Sequence, residues 1–146
     1  MVTKRIAEVT WENDLLRGHG RIRFGTGALP EIDVTWASRT EQPDGKTSPE
    51  ELLAAAHASC YAMALSATLA TNRTPPTRLD VTAICSFERV EDKWQVTTME
   101  LTVKGVVRGI DHSKFEEIAR VAETSCPISN AIRNNVEIKL NALLEQ

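Results

Sequence analysis

The stretch that decides the fold is residues 48–66, which read SPEELLAAAHASCYAMALS. It opens on Ser48, a residue type that caps helices, followed by a proline at the first helical position and two carboxylates in the first turn. Apolar residues then dominate until Pro75 and Pro76, which cannot continue a helix. The pattern predicts a long helix over residues 49–72, and its many alanines allow another backbone to pack closely against it.

The apolar part of this helix, residues 52–70, is long enough to span a bilayer. It consists mostly of alanine, however, and it carries a histidine and several hydroxyl side chains, so we interpret it as a helix buried in protein. Residues 1–8 lack the apolar core of an export signal. We therefore expect a cytoplasmic protein.

Strand patterns flank the helix on both sides. Before it, turn-forming residues separate three β-like segments, which predicts an antiparallel meander within residues 1–40; the segments are residues 6–11, 20–24 and 31–36. After it, residues 79–88 alternate between apolar and polar side chains, and residues 94–107 read as their antiparallel partner.

The last third of the chain mixes helix and strand. Ser113 is predicted to cap a helix with apolar residues at helical spacing. A break at Cys126 and Pro127 precedes a short helix over residues 128–133, and a strand over residues 137–143 follows. The outline is α+β, with strands gathered on both sides of a central helix.

Length and composition indicate one domain. The chain has 146 residues, of which 42% are hydrophobic, and it shows no repeat or linker. We expect a single domain over residues 1–146, made of the meander (1–40), the central helix (49–72) and a β/α part (77–146). The net charge of -3 is interspersed, with no basic block, so neither nucleic acid nor a membrane surface is an expected partner.

Three cysteines carry the candidate chemistry. Cys60 lies in mid-helix among alanines, where a free cysteine often serves only as a small hydrophobe. Cys126 precedes Pro127 at the start of a helix, whose unpaired N–H groups favour a thiolate. Cys85 lies on the apolar phase of its strand and is expected to be a core residue. In a reducing compartment, a disulfide between two of the three would be catalytic rather than structural.

His57 and Cys60 are three residues apart and therefore share a helix face. This spacing admits a cysteine-histidine hydrolase or a two-residue corner of a metal site. His19 and His112 are not spaced as further ligands, and the sequence contains no Cys-x-x-Cys. We expect no metal and no organic cofactor.

Residues 48–66 resemble the central-helix motif of the OsmC/Ohr family, and residues 126–130 (CPISN) resemble its second cysteine motif. The regions around Trp11 and Arg39 are similar as well, so the resemblance covers essentially the whole chain. His57 makes the helix motif more similar to the OsmC branch. The resemblance implies an OsmC-like fold, with antiparallel strands around a long central helix, in an intertwined homodimer.

The same resemblance implies a thiol-dependent peroxidase of the oxidative and osmotic stress response, acting on organic hydroperoxides, with hydrogen peroxide as a second candidate. It implies a peroxidatic role for Cys60, a resolving role for Cys126, stabilisation of the thiolate and of the developing oxyanion by Arg39, and orientation of Arg39 by Glu50. A lipoyl-type dithiol would reset the disulfide. The alternative is a non-catalytic stress protein of the same fold that binds a small ligand.

The residues themselves raise two difficulties for these roles. The helix start makes Cys126 the better thiolate, whereas the resemblance makes Cys60 the residue that attacks the peroxide. A nearby Arg39 could lower the pKa of Cys60 and so activate it. Glu50 and Cys60 are ten residues apart, about 15 Å along a straight helix. If both act at one site, either a neighbouring subunit supplies one of them or the helix is kinked.

Overall fold

The computed structural model describes residues 1–146, which divide into two compact units, Met1–Leu52 and Leu53–Gln146. Each unit contains its own three-stranded sheet. Helices and strands together give the α+β architecture predicted from the sequence.

The first unit is built on the predicted antiparallel meander. Its strands are β1 (Ala7–Glu12), β2 (His19–Phe24) and β3 (Ile32–Val34), paired in the order β1-β2-β3. Thr47 returns to the sheet edge, where its backbone N–H donates to Asp33 O at 3.0 Å. This contact closes the polar loop that precedes the long helix.

A short helix, α1 (Trp36–Thr40), follows β3 where the sequence pattern predicted that the strand would continue to residue 36. That prediction was wrong because Thr35 and Ser38 form a capping box. The Ser38 N–H donates to Thr35 Oγ1 at 3.0 Å, and the Thr35 N–H donates to Ser38 Oγ at 2.9 Å. This helix carries Arg39.

The long helix, α2 (Pro49–Thr71), confirms the prediction to within one residue. Ser48 caps it, since its Oγ accepts from the Glu51 N–H at 3.1 Å. Four fully buried side chains recur every fourth residue along one face, namely His57, Tyr61, Leu65 and Leu69. Between Leu52 and Ala70, only small or apolar side chains are exposed, namely Ala55, Ala56, Ser59, Met63, Ala67 and Ala70. By length and composition α2 could cross a bilayer, but the core helix of a soluble protein passes the same test.

The second sheet consists of β4 (Pro76–Val90), β5 (Lys93–Val107) and β6 (Glu137–Glu145). β4 and β5 form an antiparallel hairpin whose two turn residues, Glu91 and Asp92, both have positive φ. β6 pairs with β5 in parallel. The antiparallel pairing expected of the strands therefore holds for every pair except this one, because the intervening helices form a crossover connection.

Two helices, α3 (His112–Ser125) and α4 (Pro127–Ile132), make that crossover and meet at Cys126. The predicted cap at Ser113 was wrong. The cap is Asp111, two residues before Ser113. Its backbone is extended, and its side chain accepts from the Lys114 N–H at 2.8 Å. The core of the second unit lies among α2, α3 and one face of the second sheet; its largest fully buried apolar members are Tyr61, Leu65, Leu69, Leu101, Val103 and Phe115.

Helix α3 packs closely on the sheet at Gly105 of β5. A Cβ at this position would lie 2.5 Å from Phe115 Cζ, and the Phe115 ring is fully buried. We expect Gly105→Ala to lower the free energy of unfolding by about 1–3 kcal/mol through overpacking. Urea denaturation measures this loss. The double variant with Phe115→Leu should recover part of it, and wild-type stability of Gly105→Ala would show that α3 does not press on the sheet here.

Candidate functional site

Cys60 and Cys126 are brought together in the second unit. Cys60 lies on α2 and is half-buried, whereas Cys126 lies at the junction of α3 and α4 and is fully buried. Both are free thiols, and Cys126 lies near enough to the Cys60 thiol to raise its pKa. The fold therefore places the two cysteine side chains next to each other.

The surroundings of Cys60 within this unit do not favour its thiolate. Burial raises the pKa of the Cys60 thiol, the backbone N–H of Ile128 lowers it, and the hydrogen bond and charge of Cys126 raise it again. The net direction is upward, and no cation is among the groups that shift it. Activation of this sulfur would require a positive charge from elsewhere.

The N–H groups at the start of α4 act on Cys60. The sequence suggested that they would favour a thiolate at Cys126, but it is the pKa of Cys60 that the Ile128 N–H lowers. Cys126 itself is the N-cap residue of α4 and makes no side-chain capping bond. The start of α4 thus favours the thiolate of Cys60, on the neighbouring helix α2.

An open groove of about 640 Å³ runs along α2 and α3 with Cys60 in its wall. Its lining is predominantly apolar, with three hydroxyl side chains, and comprises Cys60, Met63, Ala64, Ala67, Thr68, Thr71, Val121, Ser125 and Pro127. Such a surface suits an apolar chain or ring whose reactive end reaches the Cys60 sulfur.

Arg39 and Glu50 form the second pair of predicted site residues, and both belong to the first unit. Arg39 Nε lies 3.0 Å from Glu50 Oε1 and 3.2 Å from Oε2, and Arg39 Nη2 lies 2.7 Å from Oε1. The Glu50 side chain is 8% exposed, whereas that of Arg39 is 29% exposed. The Arg39 guanidinium also lies over the Trp36 ring, 5.8 Å from its centre. The Arg39 guanidinium is therefore bound by a buried carboxylate and stays partly open to solvent.

His57 does not form a dyad with Cys60, so the hydrolase interpretation has no support in the geometry. Its Nε2 lies 2.7 Å from Ser129 Oγ, and its Nδ1 is buried with no hydrogen-bond partner. Burial lowers the pKa of His57, Glu123 raises it, and Arg133 lowers it. The ring is therefore a neutral, buried group. No cluster of three or more His, Cys, Asp or Glu side chains is arranged to hold a metal ion.

Sequence reasoning missed the polar groups that surround Cys126. Ser129 is fully buried and contacts His57. Arg133 pairs with the buried Glu123 at 2.8 Å, and Asn130 Nδ2 donates to Thr124 O at 3.0 Å. The one available signal was a hydroxyl residue three positions after the cysteine, one helical turn along α4.

Comparisons with known proteins identify the family of this chain. The family model described as "OsmC-like protein" matches residues 42–141. Peroxiredoxin OsmC of Escherichia coli (strain K12) is 34% identical over 138 residues, which is 94% of this chain and 96% of that protein. The organic hydroperoxide resistance protein OhrA of Bacillus subtilis (strain 168) is 32% identical over 113 residues, covering 75% and 78% of the two chains.

Solved structures show the same fold. The organic hydroperoxide resistance protein OhrB of Bacillus subtilis superposes with a TM-score of 0.76 at 25% identity, covering 94% of this chain and 97% of that one. An organic hydroperoxide resistance protein OsmC from Legionella pneumophila has a TM-score of 0.76 at 23% identity, with 98% of both chains covered. The second comparison carries the fold alone.

The neutral state of His57 predicts a pH dependence of stability. Its pKa in the folded protein lies below the unperturbed value of 6.5, so the unfolded chain takes up a proton first as the pH falls. The stability that the folded protein gains from this difference is complete above pH 6.5 and is lost as the pH falls towards the pKa of His57 in the folded protein. Urea denaturation at pH 7.5 and pH 5.5 should therefore show a larger loss for wild type than for His57→Gln.

The exposed His112 offers a matched control, since His112→Gln makes the same substitution at the surface instead of the core. Equal losses for wild type and His57→Gln would mean that burial does not keep this ring neutral.

Proposed function

The chain belongs to the OsmC-like protein family, and from this premise we propose that it is a thiol-dependent peroxidase that reduces organic hydroperoxides to alcohols. The names of its relatives, peroxiredoxin OsmC and organic hydroperoxide resistance protein, support this activity. The observation that carries the proposal is the position of Cys126 beside Cys60, which lies in the wall of an apolar groove.

The cycle has three steps. The Cys60 thiolate attacks the distal oxygen of the hydroperoxide, the O–O bond breaks, and the alkoxide leaves as an alcohol after taking a proton, which leaves a sulfenic acid on Cys60. The Cys126 thiol then displaces water from this sulfenic acid and forms the disulfide. An external dithiol, for which we propose a lipoyl type, exchanges with the disulfide and returns two thiols.

The difference in burial supports this order of the two cysteines. Cys60 is half-buried and lines the groove, so a hydroperoxide can reach its sulfur. Cys126 has no exposed surface and does not line the groove, but it contacts Cys60. A sulfur in that position is suited to resolving a sulfenic acid rather than to meeting the substrate.

The raised pKa of Cys60 makes a cation necessary, and we propose that Arg39 supplies it. The guanidinium would stabilise the Cys60 thiolate and the developing charge on the leaving oxygen, while Glu50 keeps it oriented. α2 runs without a break from Pro49 to Thr71, and at helical rise Glu50 and Cys60 are about 15 Å apart along it. We therefore propose that Arg39 and Glu50 act on Cys60 of the partner subunit.

Exposed apolar surface in both units supports a homodimer. In the first unit Ile22 is the only buried large apolar side chain, and an apolar cavity of about 390 Å³ lies open beside it. In the second unit the outer face of α2 presents alanines and Met63 to solvent. A helix that is apolar on two faces is normally covered on both, and a second copy would cover these surfaces.

A non-catalytic binder remains the alternative, since the groove alone could hold a small apolar ligand. Titration of free thiols separates the two. We expect wild type to lose two of its three thiols on adding one equivalent of cumene hydroperoxide without reductant. Cys60→Ser should lose none, and Cys126→Ser should lose one and stall as a sulfenic acid.

Cys85→Ser provides the matched control and should behave as wild type, because Cys85 lies on β4 and is expected to carry no chemistry. Unchanged thiol counts in wild type would identify the chain as a binder.

Subunit mixing tests the shared site. Arg39→Ala and Cys60→Ser are each expected to be inactive, but a heterodimer of the two contains one intact pair of Arg39 and Cys60 from different subunits. Random re-association should restore about a quarter of wild-type activity. Mixing Cys60→Ser with Cys126→Ser should restore none, since these two cysteines act within one subunit. No recovery in the first mixture would place Arg39 and Cys60 in the same chain.

A further inference from the structure

A buried hydrogen bond joins α2 to α4 one helical turn away from each sulfur. His57 lies three residues before Cys60 on α2, and Ser129 lies three residues after Cys126 in α4. The His57 Nε2 and Ser129 Oγ atoms are 2.7 Å apart, and neither side chain has any exposed surface. Since residues three apart share a helix face, this bond lies alongside the contact between the sulfurs.

We propose that His57 and Ser129 are positioning residues for the resolving step: their hydrogen bond holds the turn that carries Cys126 in place against the helix that carries Cys60. The inference rests on the proposed peroxidase cycle, in which Cys126 must displace water from the Cys60 sulfenic acid. His57 and Ser129 form their bond with each other, so they act through the backbone of the two helices.

The helix that carries this bond needs outside support. α4 has only six residues, too few for a helix to be stable by itself, and its N-cap residue makes no side-chain capping bond. The contacts from Asn130 to Thr124 and from Arg133 to Glu123 join α4 to α3 and set the shape of the turn. The bond from His57 to Ser129 instead joins α4 to α2, and so it sets the distance of Cys126 from Cys60.

The state of the His57 ring agrees with this role. A buried Nδ1 without a partner costs folding free energy that an apolar side chain would not cost. The histidine is therefore explained by its other nitrogen, which reaches Ser129. Burial outweighs the charge of Glu123 and keeps the pKa of His57 low, so the neutral ring keeps its bond to Ser129.

Rapid mixing of the reduced protein with one equivalent of cumene hydroperoxide tests the proposal. Sulfenic acid is trapped with dimedone over time and the disulfide is counted by mass spectrometry. In Ser129→Ala and in His57→Leu, disulfide formation should slow by about tenfold to a hundredfold, because small misplacements of reacting groups are costly. Sulfenic acid formation should change by no more than about threefold, so the intermediate accumulates.

Two further variants separate positioning from general stability. His57→Gln keeps a hydrogen-bonding amide near the position of Nε2 and should recover most of the resolving rate. Tyr61→Phe removes another buried hydrogen bond of α2, the 2.9 Å bond from Tyr61 Oη to Ala119 O on α3, and should lower stability without slowing the disulfide.

Wild-type disulfide rates in both Ser129→Ala and His57→Leu would overturn the proposal, and so would an equal slowing in Tyr61→Phe. If one of the first two variants does not fold, the other carries the test. Wild type that forms no disulfide with the peroxide would instead refute the peroxidase cycle itself, which is a separate outcome.

Discussion

The position of Cys126 beside Cys60 is the constraint on which the proposed chemistry depends. One sulfur lies on a helix that buries Tyr61 and Leu65 in the core, and the other lies at the junction of two helices that cross over the same sheet. Neither segment could move by a few ångströms without disturbing close-packed side chains. The hydrophobic core therefore holds the sulfurs together before any disulfide forms.

The two units contribute different charged and polar groups to the proposed site. The second unit supplies the sulfurs, one backbone N–H and an apolar groove, yet it leaves the pKa of Cys60 raised. The first unit supplies a guanidinium that is fixed by a buried carboxylate but keeps about a third of its surface exposed. An arginine clamped in this way loses little conformational entropy when it meets a thiolate. In the proposed dimer, a lone subunit would fold with an unactivated sulfur and gain reactivity only on pairing.

Local signals in the sequence were sufficient for most of the fold. The capping serine, the proline and the carboxylates that begin α2 act within one turn, and the period-two alternation of β4 requires only its own residues. The parallel pairing of β6 could not be predicted in this way, because it depends on where α3 and α4 deliver the chain. The helix α1 was missed because a reciprocal cap between Thr35 and Ser38 outweighed the strand-like pattern around Trp36.

In the site too, contacts between segments distant in sequence could not be predicted. Resemblance identified the four residues that form the two pairs, but the Ile128 N–H at Cys60 and the bond from His57 to Ser129 join segments about seventy positions apart. The full burial of Cys126 also limits which sulfur excess peroxide can damage. In the proposed cycle, excess peroxide can carry the Cys60 sulfenic acid onward to the irreversible sulfinic and sulfonic acids, whereas Cys126 lies out of reach of solvent and would be oxidised only through Cys60. Of the two cysteines of the cycle, irreversible overoxidation would therefore fall on Cys60.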